Sequence, residues 1–257
     1  MEEVSQLKFT SLGSGSKGNA TVVGYDEALI LIDSGFSCKL LETRLAERAI
    51  DCQHIKAILV THEHSDHFNG VPTFSNRYGI PVWMSHGTSL NQKAEKIKAL
   101  NVFNSHSSFQ IEQLEVQPVL VPHDSREACQ FVIRKGSSCL GILTDLGHIT
   151  PFVSQQYKDC QALLLEFNHD IQMLMSGRYP PALKARVSGS LGHLSNDQAI
   201  DFLKNGQLDS LKFLAAMHLS EENNCRHSVL DQINGLSLDS VEVTIACQEN
   251  GFDWVSI

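Results

Sequence analysis

Residues 57–67 of the chain have the sequence Ala57-Ile58-Leu59-Val60-Thr61-His62-Glu63-His64-Ser65-Asp66-His67. The apolar residues at its beginning predict a buried strand, and the loop that follows carries the pattern HxHxDH. Three imidazoles this close together would repel one another if protonated, but when neutral they bind a metal ion well. The segment therefore indicates a metal site at the end of a strand rather than a solvated polar loop.

Four other apolar stretches end in the same way, with Asp or His followed by a polar or glycine-containing loop. The residues at these positions are Asp33, His123, Asp145 and His218. Taken singly, such a residue more often caps a strand or satisfies a local polar group. Strand ends at one edge of a sheet are, however, where α/β proteins place their ligands. Together with HxHxDH, these positions predict a site for two metal ions.

The rest of the chain predicts strands interleaved with helices, which is typical of a layered α/β protein with sheet at its centre. Further strands are predicted at 7–12, 20–23, 28–32, 109–122, 130–134, 139–144, 162–166, 213–217 and 241–245. Helices are predicted at 39–49, 71–78, 90–100 and 196–204. Ser195 and Gln198 form a capping box at the start of the last helix.

The HxHxDH motif and the four strand-end residues, in this order, resemble the metallo-β-lactamase fold of metal-dependent hydrolases. The resemblance covers about the whole chain and implies a four-layer αββα sandwich, formed by one α/β domain over residues 1–257. Further segments are similar to the WalJ/YycJ-like branch, which is associated with DNA exonuclease activity. These segments are LGSGSKGNA at 12–20, EFNHD at 166–170, MLMSGRYPPALKARV at 173–187, GHLSN at 192–196 and HLSEENN at 218–224.

The resemblance implies two divalent metal ions per chain, with a hydroxide between them as the nucleophile. The ligands would be His62, His64 and His123 for one metal, Asp66, His67 and His218 for the other, and Asp145 for both. Asp33 would lie behind them and orient the HxHxDH loop. Zinc suits the imidazoles, whereas the carboxylates also accept manganese or iron, so these three metals stay open.

Two further histidines, His169 and His193, lie in polar turns after an apolar stretch or beside a helix start. Either could donate a proton to the leaving oxygen or hold the scissile phosphate, or could simply cap or pack. We favour His193 as a catalytic residue beside Asp66 and Asp145, because the helix that follows Ser195 would place its positive end next to it. His169 is expected among the residues that support the site.

Residues 13–18 fit the pattern GxGxxG, and Asp33 follows the first glycine at the spacing of a dinucleotide-binding motif. That motif requires a helix next, but residues 19–32 predict strand, turn and strand, so a dinucleotide site is excluded. The glycines could serve only to form a turn. Ser16 and Asn19 are nevertheless candidate substrate-binding residues, since this loop could offer hydroxyl, amide and backbone N–H groups to a phosphate.

The chain has a formal charge of −9 at pH 7, which excludes a protein that coats nucleic acid over its whole surface. From Ile171 to Asn196, however, there is no acidic residue, and Arg178, Lys184 and Arg186 are all basic. The segment predicts either a solvated loop or an edge that binds the phosphate backbone of DNA.

No apolar stretch reaches the ~20 residues that a membrane helix needs, so no membrane partner is expected. Seven scattered cysteines without a CxxC pair predict reduced thiols and a cytoplasmic protein. The main hypothesis is a two-metal phosphodiesterase that acts on DNA as an exonuclease. A thioester, lactone or small phosphodiester hydrolase would use the same ligands. A metal-binding regulatory protein without chemistry is the third reading, and the complete ligand set argues against it.

Overall fold

Two β-sheets form the centre of the fold in the computed structural model, which describes residues 6–238 and 240–257. Within these residues each sheet has seven strands, and helices cover the outer face of both sheets. The layers follow the order helix, sheet, sheet, helix. This arrangement confirms the predicted four-layer αββα sandwich.

The strands and helices fall into two groups that follow one another along the chain. The strands are β1 (Lys8–Gly13), β2 (Ala20–Tyr25), β3 (Ala28–Ile32), β4 (Ile55–Leu59), β5 (Val82–Ser85), β6 (Leu100–Phe103), β7 (Phe109–Ile111), β8 (Leu114–Leu120), β9 (Cys129–Lys135), β10 (Ser138–Leu143), β11 (Ala162–Glu166), β12 (Phe213–Met217), β13 (Glu242–Ile245) and β14 (Phe252–Ser256). The helices are α1 (Cys38–Glu47), α2 (Ser65–Phe68), α3 (Val71–Tyr78), α4 (His86–Ser89), α5 (Pro151–Tyr157), α6 (Ile171–Ser176), α7 (Pro181–Val187), α8 (Asn196–Asn205) and α9 (Arg226–Asn234). The first sheet has the order β14-β1-β2-β3-β4-β5-β6, and the second has the order β13-β12-β11-β10-β9-β8-β7.

Alternating side chains along the strands build three apolar cores between the four layers. On β11, Ala162 and Leu164 pack between the two sheets, whereas Leu163 and Leu165 pack beneath the helices of the second sheet. The same alternation along β3 supplies the core under α1 and α3. Because these strands are covered on both faces, only their ends are free to carry polar side chains to solvent.

Parallel pairing brings the predicted strand ends to one edge of the sandwich. In the first sheet β3 runs parallel to β4, and in the second sheet β10, β11 and β12 run parallel to one another. The carboxyl ends of parallel strands lie at the same edge. Asp33, Asp145 and His218 follow β3, β10 and β12 directly or within two residues, and they lie at this edge.

The helix predicted at 90–100 is wrong. Only one 3₁₀ turn, Ala94–Lys96, forms there, and Leu100 begins β6, which pairs in parallel with β5. Pairing with a distant strand outweighs the local helical spacing, and Leu90 is left exposed. The single strand predicted at 109–122 is also wrong, because a turn at Glu112, with a φ of 53°, separates β7 from β8.

The helix predicted at 196–204 is confirmed as α8. The Ser195 hydroxyl accepts the Gln198 backbone N–H, and the Gln198 side chain accepts the Ser195 N–H, which completes the capping box. Of the helices that the structure describes, none combines the length and the apolar character that crossing a bilayer requires.

Gly35 allows the HxHxDH loop to lie directly against the loop that follows β3. A Cβ atom on Gly35 would stand 1.8 Å from the Asp66 carbonyl oxygen, although its φ lies outside the left-handed region. The two loops are joined by a backbone hydrogen bond from Ser34 N–H to the His67 carbonyl at 2.8 Å, and Asn19 N–H, in the loop before β2, donates to the Asp66 carbonyl at 2.7 Å. Any side chain at position 35 would therefore displace backbone atoms rather than a flexible side chain.

We expect Gly35→Ala to lower the free energy of unfolding by more than Gly136→Ala. Gly136 has a left-handed φ of 57° but open space around it, so its substitution should cost only the roughly 1–2 kcal/mol of a left-handed residue. Urea denaturation measures both changes. Equal stabilities for the two variants would show that the contact between the loops does not constrain the fold.

Candidate metal centre

The structure brings the predicted metal ligands together in two adjoining groups. In one group His62, His64 and His123 place their ligand nitrogens within 4.8 Å of one another. The same limit holds for Asp66, His67 and His218. It also holds for Asp145 with His62 and His67, so Asp145 lies between the two groups. This is the arrangement that the resemblance to the metallo-β-lactamase fold implies.

Three of the strand-end residues have left-handed backbone conformations. The φ angles are 62° for Asp33, 54° for Asp145 and 55° for His218. Such a conformation costs of order 1–3 kcal/mol per residue and persists only where the surrounding structure holds it. Here it turns each side chain from the strand end into the cluster. Strained residues of this kind are commonly found at functional sites.

Asp33 lies behind the HxHxDH loop and connects it to β3. Its carboxylate accepts the Thr61 backbone N–H and hydroxyl, each at 2.8 Å, and lies 2.7 Å from His67 Nδ1. The Thr61 hydroxyl is in turn 3.0 Å from His62 Nδ1. These contacts leave the Nε2 atoms of both imidazoles as the nitrogens available to a metal.

Two further imidazoles are anchored by backbone carbonyls. His123 Nδ1 is 3.0 Å from the Gly192 carbonyl oxygen, and His64 Nε2 is 3.2 Å from that of Asp124. The remaining nitrogens, His123 Nε2 and His64 Nδ1, face each other at 3.2 Å. An outer hydrogen bond of this kind fixes the ring orientation of a metal-binding histidine.

Glu166 is the functional residue that the sequence analysis missed. Its Oε1 lies 2.8 Å from His193 Nδ1 and 2.9 Å from His218 Nδ1, and its Oε2 accepts the backbone N–H groups of Leu146 and Leu194. The side chain is fully buried. A signal was present, because β11 is a buried apolar strand that ends in an acid, like the strands before Asp33 and Asp145.

Three buried polar atoms in the cluster have no hydrogen-bond partner within the described residues. They are His62 Nε2, His218 Nε2 and Asp145 Oδ2. Leaving such atoms unpaired costs about 1–3 kcal/mol each, so native proteins seldom do so without a reason. Two imidazole nitrogens and one carboxylate oxygen are the donors that zinc and manganese use. The residues therefore fit divalent metal binding.

The local electrostatics keep part of the cluster in the form that binds metal. Burial lowers the pKa of His62 well below its usual 6.5, and it also lowers the pKa of His123. Both imidazoles are consequently neutral at pH 7. Metal binding requires neutral imidazole, so no proton has to leave these two rings.

In the other part of the cluster, carboxylates stabilise positive charge on the imidazoles. Burial alone would raise the pKa of Asp145, but His218 and His67 lower it well below its usual range. Burial alone would lower the pKa of His218, but Asp145, Asp66 and Glu166 raise it to about 10. The raised pKa favours a proton on His218, where a metal ion would otherwise supply the positive charge, and a bound metal ion would displace that proton.

A cavity of about 320 Å³ opens onto this cluster. Its wall includes Asp66, Asp145, His193 and His218. His169 is not part of the wall. It is buried, and its carbonyl oxygen accepts the Asn196 N–H at 2.9 Å, so the structure places it at the start of α8 behind the site.

The residues predicted to bind substrate have different positions. Ser16 and Arg186 line the cavity. Asn19 is buried, and its side-chain amide exchanges hydrogen bonds with the backbone of Gly15 at 2.8 and 3.1 Å and lies 3.0 Å from His67 Nε2. Asn19 thus closes the glycine loop and contacts the cluster.

A known protein family matches most of this chain. A family model described as "Beta-lactamase superfamily domain" matches residues 29–214, which include Asp33, the HxHxDH motif, His123, Asp145 and His193. The chain belongs to the β-lactamase superfamily. It is accordingly a metal-dependent hydrolase, and a regulatory protein without chemistry is no longer an alternative.

Two curated relatives place the chain within the superfamily. Exodeoxyribonuclease YycJ from Bacillus anthracis is 30% identical over 250 residues, which cover 96% of this chain and 91% of the relative. Exodeoxyribonuclease WalJ from Streptococcus pneumoniae is 30% identical over 234 residues, which cover 88% and 86%. The predicted resemblance to the YycJ/WalJ branch is confirmed.

A solved structure supports the fold independently. The metallo-β-lactamase fold protein YhfI from Bacillus subtilis superposes with a TM-score of 0.74 over 97% of this chain and 99% of YhfI. The two sequences are only 14% identical, so this likeness concerns the fold alone.

We expect Asp145→Asn to lower the amount of bound metal while leaving the fold intact. Asparagine keeps the shape of the side chain but removes the negative charge shared by the two ligand groups. Elemental analysis of the purified variant measures metal per chain, and far-UV circular dichroism checks folding. Asp201→Asn, at an exposed position on α8, is the control. Undiminished metal in Asp145→Asn would contradict the bridging position.

Proposed function

We propose that this chain is a phosphodiesterase that uses two divalent metal ions and removes nucleotides from the ends of DNA. The observation that carries the proposal is the position of His193. It is held by Glu166 and faces the same cavity as the ligands of both predicted metal positions. The names of the two curated relatives, both exodeoxyribonucleases, support DNA as the substrate.

The metal ions would be held by the side chains that meet at the sheet edge. These are His62, His64, His123, Asp66, His67, His218 and Asp145. When bound, two divalent cations neutralise charge on the phosphate and activate a water molecule for attack on phosphorus. Zinc, manganese and iron all suit this set of nitrogen and oxygen donors.

His193 would donate the proton that the leaving oxygen needs. Its Nδ1 is occupied by Glu166, which leaves Nε2 for the substrate. Burial alone would lower the pKa of His193, but the Glu166 carboxylate raises it above 6.5. The raised pKa favours the protonated ring, which loses its proton as the pH rises through that pKa, as a general acid requires.

The acid-free segment from Ile171 to Asn196 is the proposed edge for the DNA backbone. Arg178 is exposed, and no described acid pairs with it. Arg186 forms two hydrogen bonds with Asp124, at 2.5 and 3.2 Å, and Lys184 Nζ donates to a backbone carbonyl at 2.6 Å. Arg178 is therefore the basic residue that can contact a phosphate without first losing a partner.

We also propose that the chain forms one hydrolase domain and acts in the cytoplasm. The apolar core between the two sheets contains residues from both halves of the chain. All seven cysteines are free thiols, including Cys139 and Cys160 at 3.5 Å from each other. Cysteines that stay unpaired are typical of a reducing compartment.

The substrate is tested with end-labelled single-stranded and double-stranded DNA and RNA, in zinc and in manganese. We expect metal-dependent release of nucleotides from DNA ends, visible as a ladder that shortens from one end. Hydrolysis of small thioesters, lactones or phosphodiesters without any DNA cleavage would instead favour a small-molecule hydrolase.

Arg178→Glu gives a matched test of the backbone contact. Losing one phosphate contact should flatten the log–log salt dependence of DNA affinity by about one unit, for all sequences alike. Lys158→Glu, on the surface after α5 and outside the acid-free segment, is the control. An unchanged slope in Arg178→Glu would show that Arg178 is only solvated.

We expect His193→Ala to lower turnover by roughly 10²–10⁴-fold, the usual contribution of a general acid, without loss of bound metal. Glu166→Gln removes the charge that raises the pKa of His193, so its pH–rate profile should fall at lower pH than that of the wild type. Loss of metal in His193→Ala would instead make His193 a ligand. Wild-type rates would leave it only a structural role.

A further inference from the structure

Helix α7 has an apolar face that the protein core does not cover. None of its side chains is buried by the described part of the chain. Leu183 and Val187 are four residues apart and therefore share one face of the helix. Both line the 320 Å³ cavity, and so does Tyr179, two residues before the helix begins. This apolar face is thus directed to the metal centre.

Hydrogen bonds that involve backbone groups attach the end of α7 to residues of the metal centre. The His193 N–H donates to the Val187 carbonyl oxygen at 2.9 Å. The Gly192 carbonyl oxygen, in the same turn, is 3.0 Å from His123 Nδ1. The helix is therefore held in a defined position relative to the proposed acid and to one metal ligand, as a preformed binding surface requires.

The other residues that line the cavity are mostly polar. They include Asp145, His193, His218, Ser16 and Arg186. A ligand that matches both parts of this lining carries an anionic group and a flat apolar group. The volume lies at the lower end of the range for small-ligand pockets, about 300–1,000 Å³, which suits a group of the size of a single nucleotide.

We propose that Tyr179, Leu183 and Val187 form the contact surface for one unpaired base of the substrate, next to the scissile phosphate. This inference rests on the proposed nuclease function. Every nucleobase has a flat face that stacks on aromatic and apolar side chains, so the contact is tolerant of sequence. The contact therefore does not select a particular sequence.

The experiment compares single-stranded oligonucleotides that carry either normal or abasic residues at both ends. The measured quantity is kcat/KM for release of the terminal residue by the metal-loaded protein. The wild type should lose between about five- and about 150-fold on the abasic substrate, the range for one stacked base. Tyr179→Ala should lose a similar factor on the normal substrate and little more on the abasic one, because both changes remove the same contact.

Two further variants complete the comparison. Tyr179→Phe should retain wild-type discrimination, because the ring remains. Met175→Ala is the matched control, since Met175 is an exposed apolar residue on α6 that does not line the cavity. It should discriminate like the wild type. Thermal unfolding checks that every variant is folded.

The outcomes separate this inference from the proposed function. If the wild type cleaves no DNA at all, the nuclease function itself is wrong. If it cleaves DNA but treats normal and abasic ends alike, the base-contact surface is wrong. An equal loss on both substrates in Tyr179→Ala would also overturn it, because the residue would then act on the metal centre.

Discussion

Negative charge concentrated at the edge between two sheets is the constraint on which the rest of this structure depends. Four carboxylates lie there: Asp33, Asp66, Asp145 and Glu166. All except Asp66 are fully or almost fully buried. Buried charge is costly unless it is paired and hydrogen-bonded. Imidazoles contact each of these groups, and three of those imidazoles, His67, His193 and His218, have raised pKa values as a result. Protons or divalent metal ions can supply the balancing charge, and metal binding exchanges one for the other.

The sandwich meets this constraint because it confines polar groups to the ends of its strands. Both faces of the central strands are apolar, so the chain can place charge only where a strand stops. Left-handed residues at Asp33, Asp145 and His218 then turn the side chains inward. The supporting hydrogen bonds, in which the Asp33 carboxylate holds His67 and the Glu166 carboxylate holds His218, make this geometry rigid before any substrate arrives.

The segment from α6 to His193 has a different relation to the fold. It contributes little to the apolar cores, and α7 contributes no buried side chain. Its attachments are polar: Arg186 to Asp124, and the turn after α7 to His123. A segment held by the metal centre rather than by the core can vary its surface without loss of the fold, which is where specificity usually lies. This explains why the basic and apolar residues of the proposed substrate contacts are concentrated here.

The fold class and the candidate metal ligands could be predicted from the sequence, because the local pattern of strands and strand-end residues carries the resemblance to the metallo-β-lactamase fold. HxHxDH places its ligands within six residues, and each apolar strand is followed at once by its Asp or His. Tertiary structure alone decided that Glu166 joins His193 to His218, that Asp124 pairs with Arg186 62 residues away, and that residues 100–103 form a strand. Each of these depends on a partner brought close by the packing of sheets and loops. A hydrogen-bond partner far along the chain leaves no local periodicity or spacing in the sequence, so it can be identified only in the folded molecule.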